Sequence, residues 1–221
     1  FRRVLFRSFA VQPTVEQVSI PIIFVAATSS ESGKTILSGE LIKDLSERGI
    51  QVGALKVTGT GGVLDSLHHH SCGAFATLDN VNAGLISTHC DADIFRKRIP
   101  LIFRQMEQQG AEVVVAELGG DLVSANNPEI FRIGELMDQA IMLVVISNDA
   151  LAAAGVDAIN ASRLEFPAER IRHFTSPFRN HAGMARRMIL AGITSCFDPR
   201  SATDLRLLAD EVARMVMHGQ D

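Results

Sequence analysis

Residues Ala27–Thr35 read Ala-Thr-Ser-Ser-Glu-Ser-Gly-Lys-Thr and follow directly on the apolar run Ile20–Ala26. A buried strand, a loop of small residues, then Gly-Lys-Thr and a helical pattern form the setting of a phosphate-binding loop. The backbone N–H groups of such a loop, with the N-terminus of the helix behind it, make a concave positive site for polyphosphate. On this reading Lys34 reaches the terminal phosphates and the Thr35 hydroxyl sits on Mg²⁺. The strict pattern has glycine where Thr28 stands, so the competing reading is a Ser-rich turn with a solvated lysine. The context argues for the phosphate loop. Ile36, Leu37, Leu41, Ile42 and Leu45 share one helical stripe, and Gly49 makes a natural stop.

The chain has 221 residues, 47% hydrophobic and 21% charged, enough for one sizeable core and hence a single domain. A net charge of −4 gives no support for nucleic-acid binding driven by bulk positive charge. Cys72, Cys90 and Cys196 are too widely spaced for a disulfide framework and fit a reducing cytoplasm. No apolar run approaches the ~20 residues that span a bilayer. Trp and Tyr are absent, which leaves stacking to Phe or His. Phe1–Ser8 resembles a translated sequencing adapter and is set aside as an artefact, leaving residues 9–221 as the domain. An upstream domain could then have been lost. The rival reading of that stretch is an Arg-rich targeting peptide.

Further along, Gln51–Lys56 predicts a second strand and Val57–Gly62 a Gly/Thr loop. Leu64–Thr88 is polar, His-rich and carries no clear period. Asp91–Gln109 predicts a helix that Pro100 kinks or restarts. Glu112–Ala116 predicts a buried strand ending at Glu117. Leu118–Pro128 follows as a loop and Glu129–Met137 as a helix. Ala140–Ile146 is a continuous apolar run typical of a strand covered on both faces. Leu151–Leu164 predicts a helix and Arg170–Thr175 a strand. Helices near His181–Leu190 and Ala202–Met217 close the chain, with a short strand at Ile193–Phe197 between them. The alternation predicts a three-layer, doubly wound α/β fold on a mainly parallel sheet, with ligands at the carboxyl ends of the strands.

Polar chemistry clusters at those strand ends. Lys56, before Thr58-Gly59-Thr60-Gly61-Gly62, would face a transferring phosphoryl group or an anionic substrate, or simply escape to solvent. Glu117, before Leu118-Gly119-Gly120-Asp121, fits a Mg²⁺-directed acid opposite the phosphate loop, with Asp121 a weaker candidate. Ser147-Asn148-Asp149 would contact nucleotide or cap the next helix, and capping is favoured. His68, His69, His70, Cys72, His89 and Cys90 invite a metal, yet their spacing lacks the recurring pairs of zinc sites and a solvated loop is preferred. Asp65 or Asp79 could enter the Mg²⁺ shell.

At these residues the chain resembles the dethiobiotin synthetase and cobyrinic acid diamide synthase group of P-loop proteins, within the class that contains MinD-like ATPases and metallochaperone GTPases. That family's loop runs Gly-Thr-Asp-Thr-Glu-Val-Gly-Lys-Thr. Thr28, Glu31, Gly33, Lys34 and Thr35 match it, and Ala27 replaces its first glycine. Its Lys-Pro after strand two corresponds to Lys56-Val57. Its Glu-Gly-Ala-Gly-Gly corresponds, one residue shorter, to Glu117-Leu118-Gly119-Gly120.

The resemblance implies ATP and Mg²⁺ as cofactors. It implies a nucleotide shell of Thr28, Ser29, Ser30, Glu31, Ser32, Gly33, Lys34, Thr35 and Ile36. The metal ligands would be Thr35, Glu117 and, as a third, Asp65. The catalytic set would be Lys34, Lys56 and Glu117. Base contacts would come from Ser176-Pro177 or Asp198-Pro199. The implied activity is ligase-like phosphoryl transfer to a small carboxylate or carbamate, in the cytoplasm, with neither nucleic acid nor membrane as partner. A homodimer is consistent with the class. Asn80–Thr88 departs from the synthetase substrate loops. The P-loop half of the D-glutamate N-acetyltransferase-like proteins is a second partial match, one that expects a further N-terminal domain. The rival functions are a nucleotide-switched partner protein, including a metallochaperone using Leu67–Cys72, and a nucleotide binder without turnover. No guanine-specific Asn-Lys-x-Asp motif occurs, which leaves ATP and GTP open.

Overall fold

The computed structural model describes residues 10–218, so the Phe1–Ser8 reading lies outside the described residues. Six parallel strands form one sheet: β1 (Ile22–Ala27), β2 (Val52–Lys56), β3 (Ala76–Asp79), β4 (Val113–Glu117), β5 (Ala140–Ser147) and β6 (Ile171–Thr175). Their spatial order is β3-β2-β4-β1-β5-β6. β1 lies between β4 and β5, and all six of its residues are buried. A strand with no wet face must be apolar at every position, which explains the unbroken Ile-Ile-Phe-Val-Ala-Ala run.

The two faces of β1 belong to different cores. Ile22, Phe24 and Ala26 pack with Phe95, Ile99, Ile102, Phe103 and Met106, whereas Ile23, Val25 and Ala27 pack with Leu37, Leu41, Ile42, Leu45 and Val212. This is the period-two alternation of a strand expressed as three layers. One outer layer holds α1 (Lys34–Glu47), which Gly49 ends, and the C-terminal helix over 202–218. The other holds α3 (Ala92–Arg98), α4 (Pro100–Gln108), the single turns α5 (Asn127–Ile130) and α6 (Gly134–Met137), and part of α7 (Ala150–Ile159). α8 (His181–Leu190) packs on α7 through a small cluster of Ala150, Ala153, Met184 and Met188.

The unassigned stretch after β2 resolves into α2 (Val63–Ser71) and the edge strand β3. β3 pairs on one side only and its four residues are all half-buried, so it shows no apolar run to read. Pro100 restarts a helix at its first turn, a position where its missing N–H costs nothing. The helix expected over Leu151–Leu164 turns into a π-helix at Asn160–Leu164. The expected strand Ile193–Phe197 is reduced to one bridge, between Phe174 and Phe197. Among the described residues no helix is long and apolar enough to cross a membrane.

Candidate functional site

Because every strand is parallel, Ala27, Lys56, Glu117 and Ser147 end at the same edge of the sheet. The loop between β1 and α1 curls over that edge. Thr28 N donates to Ile146 O at 3.0 Å and anchors the start of the loop to β5. Ser32 is fully buried, and its Oγ donates to Ser29 O and lies 2.8 Å from Ser29 Oγ. Asn148, just past β5, donates from Nδ2 to both hydroxyls, at 3.1 and 2.9 Å. A serine-rich loop is thereby held in shape by its own hydroxyls and one amide. Gly33 adopts φ 101°, and a Cβ there would come within 2.5 Å of Pro177 Cδ, so both backbone and space require glycine.

The cleft beneath this loop has a volume of about 620 Å³ and is lined by residues 30–36 with Lys56, Glu117, Gly120 and Phe178. Ser30, Glu31, Ser32, Gly33, Lys34, Thr35 and Ile36 thus face it. Thr28 and Ser29 brace the loop from behind and are not part of the wall. Lys34 is buried and donates from Nζ to Gly120 O at 2.6 Å, joining the loop to the segment after β4. Burial lowers its pKa, with Glu117 opposing that effect.

Glu117 is the centre of the polar cluster and is 1% exposed. Its Oε1 accepts from Thr35 Oγ1 at 3.1 Å and from Lys56 Nζ. Asp65, on the first turn of α2, accepts from Thr35 Oγ1 at 3.3 Å and pairs with Lys56 Nζ at 2.9 Å. Burial pushes the Glu117 carboxyl up, but His69 and the Lys56 ammonium outweigh it and hold the pKa at about 2. Lys56 is raised in return: burial opposes its charge, and Glu117 and Asp65 more than compensate.

The three groups expected around a metal are therefore adjacent. A hydroxyl and two carboxylates suit Mg²⁺, which takes one or two protein carboxylates and completes its shell with phosphate and water. Glu117 Oε2 is buried without a hydrogen-bond partner, a free acceptor in the cluster. Among the described residues no group of three or more His, Cys, Asp and Glu side chains is arranged as a protein-only metal cage.

Other expected residues are placed elsewhere. Asp79 spends its carboxylate on the turn that follows β3, accepting from Val81 N at 2.8 Å. Asp121 does the same for Val123 N at 2.9 Å. Asp149 caps α7 through Leu151 N and Ala152 N, while its neighbour Asn148 braces the β1–α1 loop. The three histidines do not converge. His68 Nε2 stands 3.7 Å from Cys72 Sγ, His70 is exposed, and His69 turns inward to Glu117. Asp198 pairs with Arg200, whereas Pro177 sits on Gly33 and Phe178 lines the cleft at 65% exposure.

Asn127 had no signal in the sequence, and the roles of Thr58 and His69 were not visible there. Asn127, fully buried, donates to Gly119 O and Asp121 O and accepts from Thr58 Oγ1. Thr58 also receives Gly119 N at 2.8 Å. Together with His69 they tie the loops after β2 and β4. Gly119 is needed because a Cβ would collide with the Thr58 carbonyl.

No protein-family model and no curated protein matches the chain. Solved structures do. The ParA family ATPase of Chlorobium tepidum TLS aligns with TM-score 0.54 at 9% identity, covering 89% of this chain and 93% of that one. Chloroplast FtsY of Physcomitrella patens aligns with TM-score 0.54 at 11% identity, covering 95% and 70%. The signal recognition particle receptor FtsY of Elizabethkingia anophelis, in complex with GDP, aligns with TM-score 0.50 at 15% identity. It is covered over 87% of this chain, which spans 59% of that receptor's length. At these identities the likeness is one of fold: an all-parallel α/β sheet with flanking helices, as in these P-loop nucleoside triphosphatases.

Proposed function

We propose that this chain binds a Mg²⁺–nucleoside triphosphate at the Ser30–Ile36 loop, hydrolyses it, and works as a nucleotide-dependent switch. One observation carries the reading. Lys34 and Thr35 from the loop, Glu117 from β4 and Asp65 from α2 meet at a single cleft. Loop amides and Lys34 would hold the phosphates. Thr35, Glu117 and Asp65 would hold Mg²⁺, which when bound draws charge from the phosphoryl oxygens. Catalysis by such a site is positioning and electrostatics. The base would lie against Phe178 and Pro177. A switch is favoured because α2 places Asp65 and His69 in the cluster while it exposes Val63, Leu64 and Leu67 at 62, 79 and 56%. A change at the metal would be felt at an apolar surface. The three free cysteines fit a reducing compartment such as the cytoplasm.

The second reading is ligase-like activation of a small carboxylate or carbamate. It is supported by Lys56, which lines the cleft beside Lys34 as a second cation. Isothermal titration with ATP and GTP analogues, with and without Mg²⁺, tests nucleotide binding. Failure of both nucleotides to bind removes both readings. ADP or GDP release that rises only with an added metabolite selects the ligase. Release that rises only with a protein partner selects the switch.

A further inference from the structure

Lys56 Nζ lies between Glu117 Oε1 and Asp65 Oδ2, the latter at 2.9 Å. Thr35 Oγ1 approaches the same two carboxylates from the other side, at 3.1 and 3.3 Å. The ammonium therefore occupies the oxygen cluster that a divalent cation would use. We propose that Lys56 is an exchangeable counter-ion. It neutralises Glu117 and Asp65 in the nucleotide-free chain, and Mg²⁺ arriving with the nucleotide takes its place.

The physics runs from burial. Glu117 is 1% exposed, and a buried carboxylate without a counter-charge is strongly disfavoured, so some cation must always stand beside it. Lys56 supplies one from β2, whose residues before it are buried and pin its backbone. Mg²⁺ and an ammonium cannot share the same two carboxylates, because like charges at such separations repel. Bare Mg²⁺ must displace a bound cation and strip its own water, and so binds poorly. Mg²⁺ carried by a polyphosphate brings negative charge to which the released ammonium can turn. Lys56 can make that turn because its Nζ ends a flexible four-carbon stem and already borders the open cleft with Lys34. Its departure also breaks the Lys56–Asp65 pair, one of the ties between α2 and the sheet.

This inference rests on the Mg²⁺–nucleotide reading, and its test is separable from it. The probe is Mn²⁺ alone, titrated into the nucleotide-free full chain and followed by electron paramagnetic resonance. Wild type should bind weakly. Lys56→Met should bind about tenfold more tightly or better, and adding Glu117→Gln to it should cancel the gain. Lys56→Gln, which keeps an amide donor but no charge, should show the same gain and serves if the methionine variant does not fold. Tight saturable binding by wild type overturns the proposal without any variant. So does equal affinity in wild type and the Lys56 variants, or a gain that survives Glu117→Gln. A separate titration with a fluorescent nucleotide analogue decides the nucleotide reading, so failure of one is not failure of the other.

Discussion

Glu117 Oε2 and His69 Nε2 lie 3.3 Å apart with both side chains 1% exposed, and the approach falls short of hydrogen-bond geometry. The two residues come from β4 and α2, so this is a tertiary relationship across the cleft floor. An imidazole beside a buried carboxylate oxygen restricts which way the carboxylate turns, and so aims Oε1 at Thr35. Groups that orient a metal ligand in this way are worth roughly 10- to 100-fold in metal affinity. His69→Ala should therefore weaken Mn²⁺ binding in the presence of ADP by about tenfold while the chain stays folded. Unchanged affinity would reduce His69 to a space-filling residue.

Lys34→Ala removes the buried ammonium that bonds Gly120 O. Nucleotide turnover should fall by about 10²- to 10³-fold, the usual cost of one preorganised donor to a developing charge. The measurement is phosphate release under saturating ATP or GTP. Turnover equal to wild type would remove the phosphate-loop assignment.

Gly33→Ala meets two obstacles, a φ of 101° and Pro177 Cδ at 2.5 Å. It should cost about 1–3 kcal/mol in chemical denaturation, the range of backbone strain at such positions. Gly155, inside α7 with open space where a Cβ would go, is the control. Gly155→Ala should stabilise by roughly 0.4–1 kcal/mol. Shifts of opposite sign, larger at Gly33, are expected, and a loss of stability in both variants would contradict this reading of Gly155.

Asn127→Ala leaves Gly119 O, Asp121 O and Thr58 Oγ1 without that partner. Thr58 Oγ1 keeps Gly119 N and Asp121 O keeps Ser124, so Gly119 O is the group left unpaired, and the variant should lose about 1–3 kcal/mol. Hydrogen exchange should rise first at Gly119 N and Gly59 N, the amides bonded to Thr58 and Thr88. Exchange that rises uniformly across the sheet would contradict a local tie.

Stability should fall in acid through Glu117. Its carboxyl titrates near about 2 in the folded chain, below its ordinary 4.5. The folded state therefore favours the carboxylate. Its contribution is complete above about pH 4.5 and is lost as pH falls toward about 2. Denaturation midpoints across that window should drop less in Glu117→Gln than in wild type. Parallel curves would mean that other carboxylates carry the acid sensitivity.

Much of the fold was legible because buried parallel strands and amphipathic helices write their periods into the chain. β1, β4 and β5 are continuous apolar runs, and α1 shows one stripe ending at Gly49. β3 was not legible, since an edge strand of half-buried residues has no such run. Within the site, Lys34, Thr35 and Glu117 were readable because each sits at a fixed offset from a recognisable strand. Asn127 and the roles of Thr58 and His69 were not, because their partners lie 61, 69 and 48 positions away in the cases of Thr58 with Gly119, Asn127 with Thr58 and His69 with Glu117.

The order of residues alone determined the strand-loop-helix at Gly33-Lys34-Thr35, the three-layer class and the strand-end address of the polar groups. These follow from local periodicity and from what Gly-Lys-Thr can do after a buried strand. Only the folded chain decided that Lys56 is held by two carboxylates, that His69 and not His68 or His70 faces Glu117, and that Asp79 and Asp121 serve turns. Such choices depend on which atoms share a buried volume, and burial is set by the packing of distant segments, which no local pattern encodes.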